Sequence, residues 1–194
     1  LLTVGDYRSR QLAQNTKSIF GKILKIDINS KKHQIFSMGH RNPQGLFYDV
    51  SNNFILETEH GPQGGDEINI IDINENKIPN YGWAIASYGE HYNGKIKENE
   101  KLYKDYPLLK SHEQNGFIEP LKTFTPSIGI SEIVGLGQNN YVVSSLRAQS
   151  IFFFKLDKNR KISKIEEFVL GERIRDIIFN KNKIFIFLED TISI

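Results

Sequence analysis

The sequence predicts an all-β chain folded as part of a β-propeller, and three observations carry that expectation. Composition is the first: 27 Ile and 13 Phe stand against only 4 Ala in 194 residues, so β-branched and aromatic side chains replace the usual helix formers. The second is a succession of short apolar runs separated by Gly, Asn and Asp, with no long stretch of helical periodicity. The third is an internal repeat, the mark of folds built from stacked like units.

Leu1 to Val4 reads as strand from the first residue, with no start methionine and no polar lead-in, so the sequence is expected to begin inside a larger protein. Strand-like runs follow at Ile19 to Ile28, Leu46 to Val50, Phe54 to Thr58 and Glu67 to Ile73. From Tyr88 to Lys122 the residues mix without a period of 2 or 3.6, which predicts a long surface connection of the kind that is usually functional or mobile. Strand-like runs resume at Tyr141 to Ser145, Ile151 to Leu156, Ile177 to Phe179 and Ile184 to Leu188.

The repeat pairs Phe20 to Asp27 with Ser150 to Asp157, an offset of 130 residues between the two aspartates. Gly39-His40-Arg41 answers Gly171-Glu172-Arg173, and Phe54 to Glu57 answers Phe185 to Glu189. Upstream, Leu2 to Asp6 is answered by Tyr141 to Ser145, the first copy carrying an insertion from Tyr7 to Lys17. A four-stranded blade takes roughly 40–50 residues, so the offset predicts about three blades between the copies and about four in the chain. One partial propeller domain over residues 1–194 accommodates all of this.

Several function classes are excluded at this level. Twenty-five Lys and Arg against 23 Asp and Glu, spread along the chain, give no footprint for nucleic acid or an anionic membrane. The longest apolar runs, such as Ile151 to Phe154, fall far short of the ~20 residues that span a bilayer. With no cysteine there is no disulfide framework, thiolate metal site or Cys nucleophile.

Two clusters carry chemistry. Arg41-Asn42-Pro43-Gln44-Gly45 and Arg173-Ile174-Arg175-Asp176 follow equivalent turn glycines and hold three of the chain's seven arginines. At the mouth of a propeller channel, planar guanidinium groups would suit a small ligand bearing carboxylates; alternatively they form salt bridges between blades, with Asp176 or Glu59. Glu59 to Asn69 packs three glycines and a proline between carboxylates, which suits either Ca²⁺, bound by carbonyl and carboxylate oxygens, or a tight turn without metal. Trp83, the only tryptophan, is either an aromatic wall for a ligand or blade packing. His33 and His112 sit in polar turns and are expected to be exposed, whereas His40 and His60 adjoin the two clusters.

In this order, GHRNPQGL (Gly39 to Leu46), EHGPQGGDEIN (Glu59 to Asn69), NYGW (Asn80 to Trp83) and RIRD (Arg173 to Asp176) resemble the glucose/sorbosone dehydrogenase family. Gly5-Asp6, Ala13-Gln14 and Gly21 to Leu24 fit the same pattern, and the resemblance covers essentially the whole chain. It implies a six-bladed propeller that uses pyrroloquinoline quinone (PQQ) and Ca²⁺ to oxidise aldose sugars. Arg41 and Asn42 would contact the quinone's reactive edge, with Gln44 in the same strand. Arg173 and Arg175 would pair with the cofactor's carboxylates, and Arg147 falls where some members place a cofactor-binding lysine. Gly61 and Pro62 would offer carbonyls to the cofactor-bound Ca²⁺, while Glu67 and Tyr81 match ligands of a further calcium in some members.

The sequence departs from the family in NYGWA for NYGWP, and in Pro126 to Glu132, where an acid stands at a rim that is usually small. By the same resemblance, the histidine that acts as general base lies upstream of Leu1, so this chain alone is expected to be inactive. The implied partner is a small-molecule sugar, with the electron acceptor unspecified, the state monomer or homodimer, and the location periplasmic or secreted. A non-enzymatic propeller serving as a binding module is the rival reading, since fold alone does not settle function.

Overall fold

Four antiparallel sheets follow one another along the chain in the computed structural model, which describes residues 1–74, 77–92 and 100–189. The first holds β1 (Leu2–Val4), β2 (Lys22–Ile26) and β3 (His33–Met38). The second has four strands in sequence order: β4 (Pro43–Asp49), β5 (Phe54–Glu59), β6 (Asp66–Asp72) and β7 (Lys122–Phe124). In the third, β8 (Ile130–Gly137), β9 (Asn140–Ser145), β10 (Ser150–Leu156) and β11 (Ile162–Val169) repeat that arrangement. The fourth pairs β12 (Ile174–Asn180) with β13 (Lys183–Leu188). This is the all-β, propeller-like architecture that the composition and repeat predict.

Sheet stacks on sheet through one apolar cluster per interface. Ile23, Ile55, Ile71 and Tyr81 lie between the first and second sheets. Phe54, Leu56 and Ile68 meet Ile133, Tyr141 and Val143 between the second and third. Val142 and Ile151 meet Ile174 and Ile177 between the third and fourth. Successive residues of a strand point to opposite faces, so Phe54 and Leu56 serve one interface while Ile55, between them, serves the other. Hence all six residues of β5 are buried.

The repeat is real in topology: β1, β2 and β3 occupy the places of β9, β10 and β11, and β4 and β5 those of β12 and β13. Its spacing corrects the expectation. The copies stand two sheets apart, not three. The second sheet is lengthened by the connection from Ile73 to Leu121 between β6 and β7, which takes it well beyond an average blade length.

That connection is also less superficial than expected. Parts of it, residues 75–76 and 93–99, lie outside the described residues. Elsewhere it includes a short helix, α1 (Lys101–Asp105), and pairs back on itself between Ala86 and Leu109. Leu108 joins Trp83, Ala84 and Ala13 in a buried cluster, so these residues cover the end of the first two sheets.

Candidate functional site

The site begins on the face of β5 and β6 that meets the first sheet. Going toward the loop between these strands, Ile55 lies opposite Ile71, then Glu57 opposite Asn69, then Glu59 opposite Glu67. The apolar interface therefore turns acidic at one end. Glu57, Glu59 and Glu67 are all buried, at 0%, 4% and 5% exposure. Desolvation pushes the Glu57 and Glu67 carboxyls well above their usual range, and repulsion from Glu59 adds to both.

The loop that follows β5 is held by hydrogen bonds at both ends. Gly61 N–H donates to Asp66 Oδ1 at 3.1 Å, and Asp66 Oδ2 accepts from Gly129 N–H at 2.7 Å. A Cβ on Gly61 would lie 2.1 Å from the Gly65 carbonyl oxygen, so only glycine fits this turn. The carbonyls of Gly61 and Pro62 accept no hydrogen bond among the described residues. Gly61 and Pro62, with Arg41, Glu59, Glu67 and His112, line a small cavity of ≈ 10 Å³, about the space one water molecule or ion occupies.

Arg41 sits at the mouth of this cavity. Its main-chain N–H donates to Glu59 Oε2 at 2.6 Å. Its guanidinium donates to the His60 carbonyl at 2.9 Å and to Tyr92 Oη at 3.1 Å, and lies 5.5 Å from the centre of the Trp83 ring. Trp83 is buried and donates from Nε1 to Asp6 Oδ2 at 2.7 Å. It is thus a packed residue and, on its open side, a platform for Arg41 and for Arg10, whose guanidinium carbon is 5.2 Å from the ring. Gln14 from the Tyr7 to Lys17 insertion donates to the Trp83 carbonyl at 2.6 Å, which ties that insertion to the site. Asn42 is exposed beside Arg41, and Gln44 turns back to donate to the Pro43 carbonyl at 3.1 Å.

The remaining candidates are placed differently. Arg173 and Arg175 both donate to Glu189, Arg175 at 2.9 Å, and their side chains are 42% and 53% exposed. Neither Asp176 nor Glu59 is their partner, and the bridge lies within one sheet rather than between two. Two guanidinium groups sharing one carboxylate leave a net positive charge facing solvent. Arg147 is exposed. Tyr81 is fully buried and stacked on His40 at 4.8 Å, with its hydroxyl donating to the Ile70 carbonyl at 2.7 Å.

His112 contradicts the sequence reading. It is 1% exposed, stacked on Tyr88 with ring centroids 5.4 Å apart, and its Nε2 is 3.7 Å from Glu67 Oε1. Burial lowers its basicity below the usual histidine range. Its flanking residues are polar, and nothing local announced that the connection folds back over the acidic end of β6. Arg10 was missed for a similar reason, because only the tertiary fold brings the insertion against Trp83.

The glucose/sorbosone dehydrogenase family profile matches residues 1–193. The chain belongs to that family. Among curated relatives it is 35% identical over 111 residues to the aldose sugar dehydrogenase YliI of Escherichia coli (strain K12), covering 50% of this chain and 29% of the relative. It is 33% identical over 132 residues to the quinoprotein glucose dehydrogenase B of Acinetobacter calcoaceticus, covering 53% of this chain and 27% of the relative. A crystal structure of a glucose dehydrogenase superposes with a TM-score of 0.80 at 27% identity, covering 97% of this chain and 57% of the other. The chain thus spans less than a third of each of these two curated relatives.

Proposed function

We propose that this chain contributes the cofactor cradle of a PQQ- and Ca²⁺-dependent sugar dehydrogenase, which oxidises the anomeric carbon of an aldose by hydride transfer to the quinone. The observation that carries this reading is the convergence of Arg41, Gly61, Pro62 and Glu67 on one small cavity, the Gly61 and Pro62 carbonyls accepting no hydrogen bond among the described residues. Quinoprotein relatedness and the matched motifs support it.

The donor chemistry fits both groups. Two carbonyl oxygens and a nearby carboxylate are ligands that a hard cation such as Ca²⁺ takes, further oxygens coming from the cofactor. Tyr81, whose hydroxyl donates to the Ile70 carbonyl, lines the same cavity. Arg41 keeps unused donors beyond those given to His60 and Tyr92, and Asn42 stands exposed beside it. When bound, the quinone supplies the acceptor for the hydride that leaves the sugar. Arg41, held by Trp83 and the His60 carbonyl, would stabilise negative charge developing at the mouth, in a site whose rim is already desolvated. The surplus charge of Arg173 and Arg175 over Glu189 would attract cofactor carboxylates. The base that takes the hydroxyl proton is assigned to none of the matched motifs, and by resemblance the protein would work in the periplasm or outside the cell.

The test is calorimetric titration of the full-length protein with PQQ, with and without Ca²⁺, followed by sugar-dependent reduction of a dye. Coupled binding is expected, with little calcium held in the absence of PQQ. Equal PQQ affinity under both conditions would remove the metal, and absence of PQQ binding would leave a non-enzymatic propeller.

A further inference from the structure

Behind the cavity, one step deeper along β5, a second group of buried polar atoms is left over. His40 precedes β4 and is fully buried. Its Nε2 lies 2.7 Å from Ser37 Oγ, while Nδ1 has no hydrogen-bond partner among the described residues. Glu57 Oε1 is equally unpartnered. Glu59 Oε1 is 3.5 Å from His40 Nδ1, too long for a good hydrogen bond. One ligand atom from each of His40, Glu57 and Glu59 lies within 4.8 Å of the other two.

These atoms face one another in the buried interior. Asn69 Nδ2 donates to Glu57 Oε2 at 3.0 Å and to Glu59 Oε1 at 3.2 Å, and the Arg41 N–H holds Glu59 Oε2. Those donors orient both carboxylates but are neutral, so two carboxyls this deeply buried must either hold a proton, the direction in which burial pushes Glu57, or share a cation. Ser37 on one ring nitrogen with the other facing carboxylates is the pattern of an imidazole oriented for a metal.

We propose that His40, Glu57 and Glu59 bind a divalent transition-metal ion, distinct from any calcium at the cavity. One imidazole nitrogen with two carboxylates is a mixed donor set that suits ions of the Mn²⁺ to Zn²⁺ series better than Ca²⁺ or Mg²⁺. Ligands at roughly 2.0–2.2 Å around a tetrahedral ion sit about 3.4 Å from one another, so His40 Nδ1 and Glu59 Oε1, 3.5 Å apart, are already at that spacing and Glu57 has to move in by no more than about 1.5 Å. The ion would join the turn before β4 to β5 and, through Glu59, fix the Arg41 main chain. This inference does not depend on the quinone reading.

The experiment uses the full-length protein stripped with a chelator and titrated with Co²⁺, read by visible absorption and by metal analysis. One equivalent bound with a ligand-field band is expected, displaced by Zn²⁺ but not by equimolar Ca²⁺. Glu57→Gln, which does not line the cavity, should abolish the band, and Ser37→Ala should weaken binding roughly 10–100-fold, whereas Glu67→Gln should leave it intact. Failure of the unaltered protein to bind one equivalent overturns the proposal whether or not the variants fold. So does a band that survives Glu57→Gln, or one that Glu67→Gln removes.

Discussion

Lys22 offers the sharpest test of how the fold supports the site. It is completely buried on β2, and its Nζ donates to the carbonyls of Leu12, Ala13 and Phe20, each at 2.8 Å. That one ammonium pins the Tyr7 to Lys17 insertion, which in turn presents Gln14 to the Trp83 carbonyl. Lys22→Met keeps the aliphatic stem and removes the charge. Three hydrogen bonds from a charged donor contribute about 1.5–3 kcal/mol each, without strict additivity. Against this, burial lowers the ammonium from 10.5 to about 8, a penalty of about 3 kcal/mol that Met escapes. The net expected loss is about 2–4 kcal/mol in urea unfolding followed by Trp83 fluorescence. Because Trp83 is the only tryptophan, its quenching by acrylamide in the native state should also rise. A loss below about 1 kcal/mol with unchanged quenching would refute the idea that Lys22 anchors the platform beneath Arg41.

The same lysine sets a pH dependence. Its folded value of about 8 lies below 10.5, so the unfolded chain binds more protons between these values and the fold gains stability as pH rises through that window. The gap between the unaltered protein and Lys22→Met should therefore widen from pH 8 to 10.5, and a constant gap would contradict the burial argument. For Arg173→Ala and Arg175→Ala, the exposed bridge to Glu189 predicts a stability change of less than about 1 kcal/mol, whereas PQQ binding should weaken by roughly 2–4 kcal/mol; a stability effect alone would take both residues out of the cofactor site. Gly61→Ala forces a Cβ to within 2.1 Å of the Gly65 oxygen, so Ca²⁺-dependent PQQ affinity should drop by more than about tenfold, and unaltered affinity would exclude the Gly61 carbonyl as a ligand.

What could be read from the sequence was whatever local pattern determines. The pairing of Phe20 to Asp27 with Ser150 to Asp157 located equivalent strands because both copies need the same alternation of buried residues. The number of sheets between them could not be read that way, since an insertion inside one sheet adds length without adding a strand pair. Arg41 and the Gly61 loop were legible from residue type, charge and turn glycines. The acidic ladder was half legible: Glu57 and Glu59 at a spacing of two share one face of a strand, as do Glu67 and Asn69. Only the stacked first sheet and the covering connection show that this face is buried, and burial turns ordinary surface glutamates into groups that demand a proton or a cation.

The two copies of the repeat also explain why one arginine serves the site differently from its counterpart. Each places an arginine just after a turn glycine and glutamate at or just past the end of the second strand that follows, Glu57 and Glu59 in the first copy and Glu189 in the second. In the second copy the Arg173 guanidinium itself takes Glu189, and Arg175 joins it. In the first, Glu59 is taken by the Arg41 main-chain N–H, and His40 replaces Glu172 in the turn. The carboxylate is thus drawn inward toward His40 and Asn69, and the Arg41 guanidinium is released to stack on Trp83 with donors to spare. A charge that would otherwise close on its neighbour is left facing the mouth of the cavity. The cost of that release falls on the buried acids behind it, which is why the proposed cofactor cradle and the proposed metal site share Glu59.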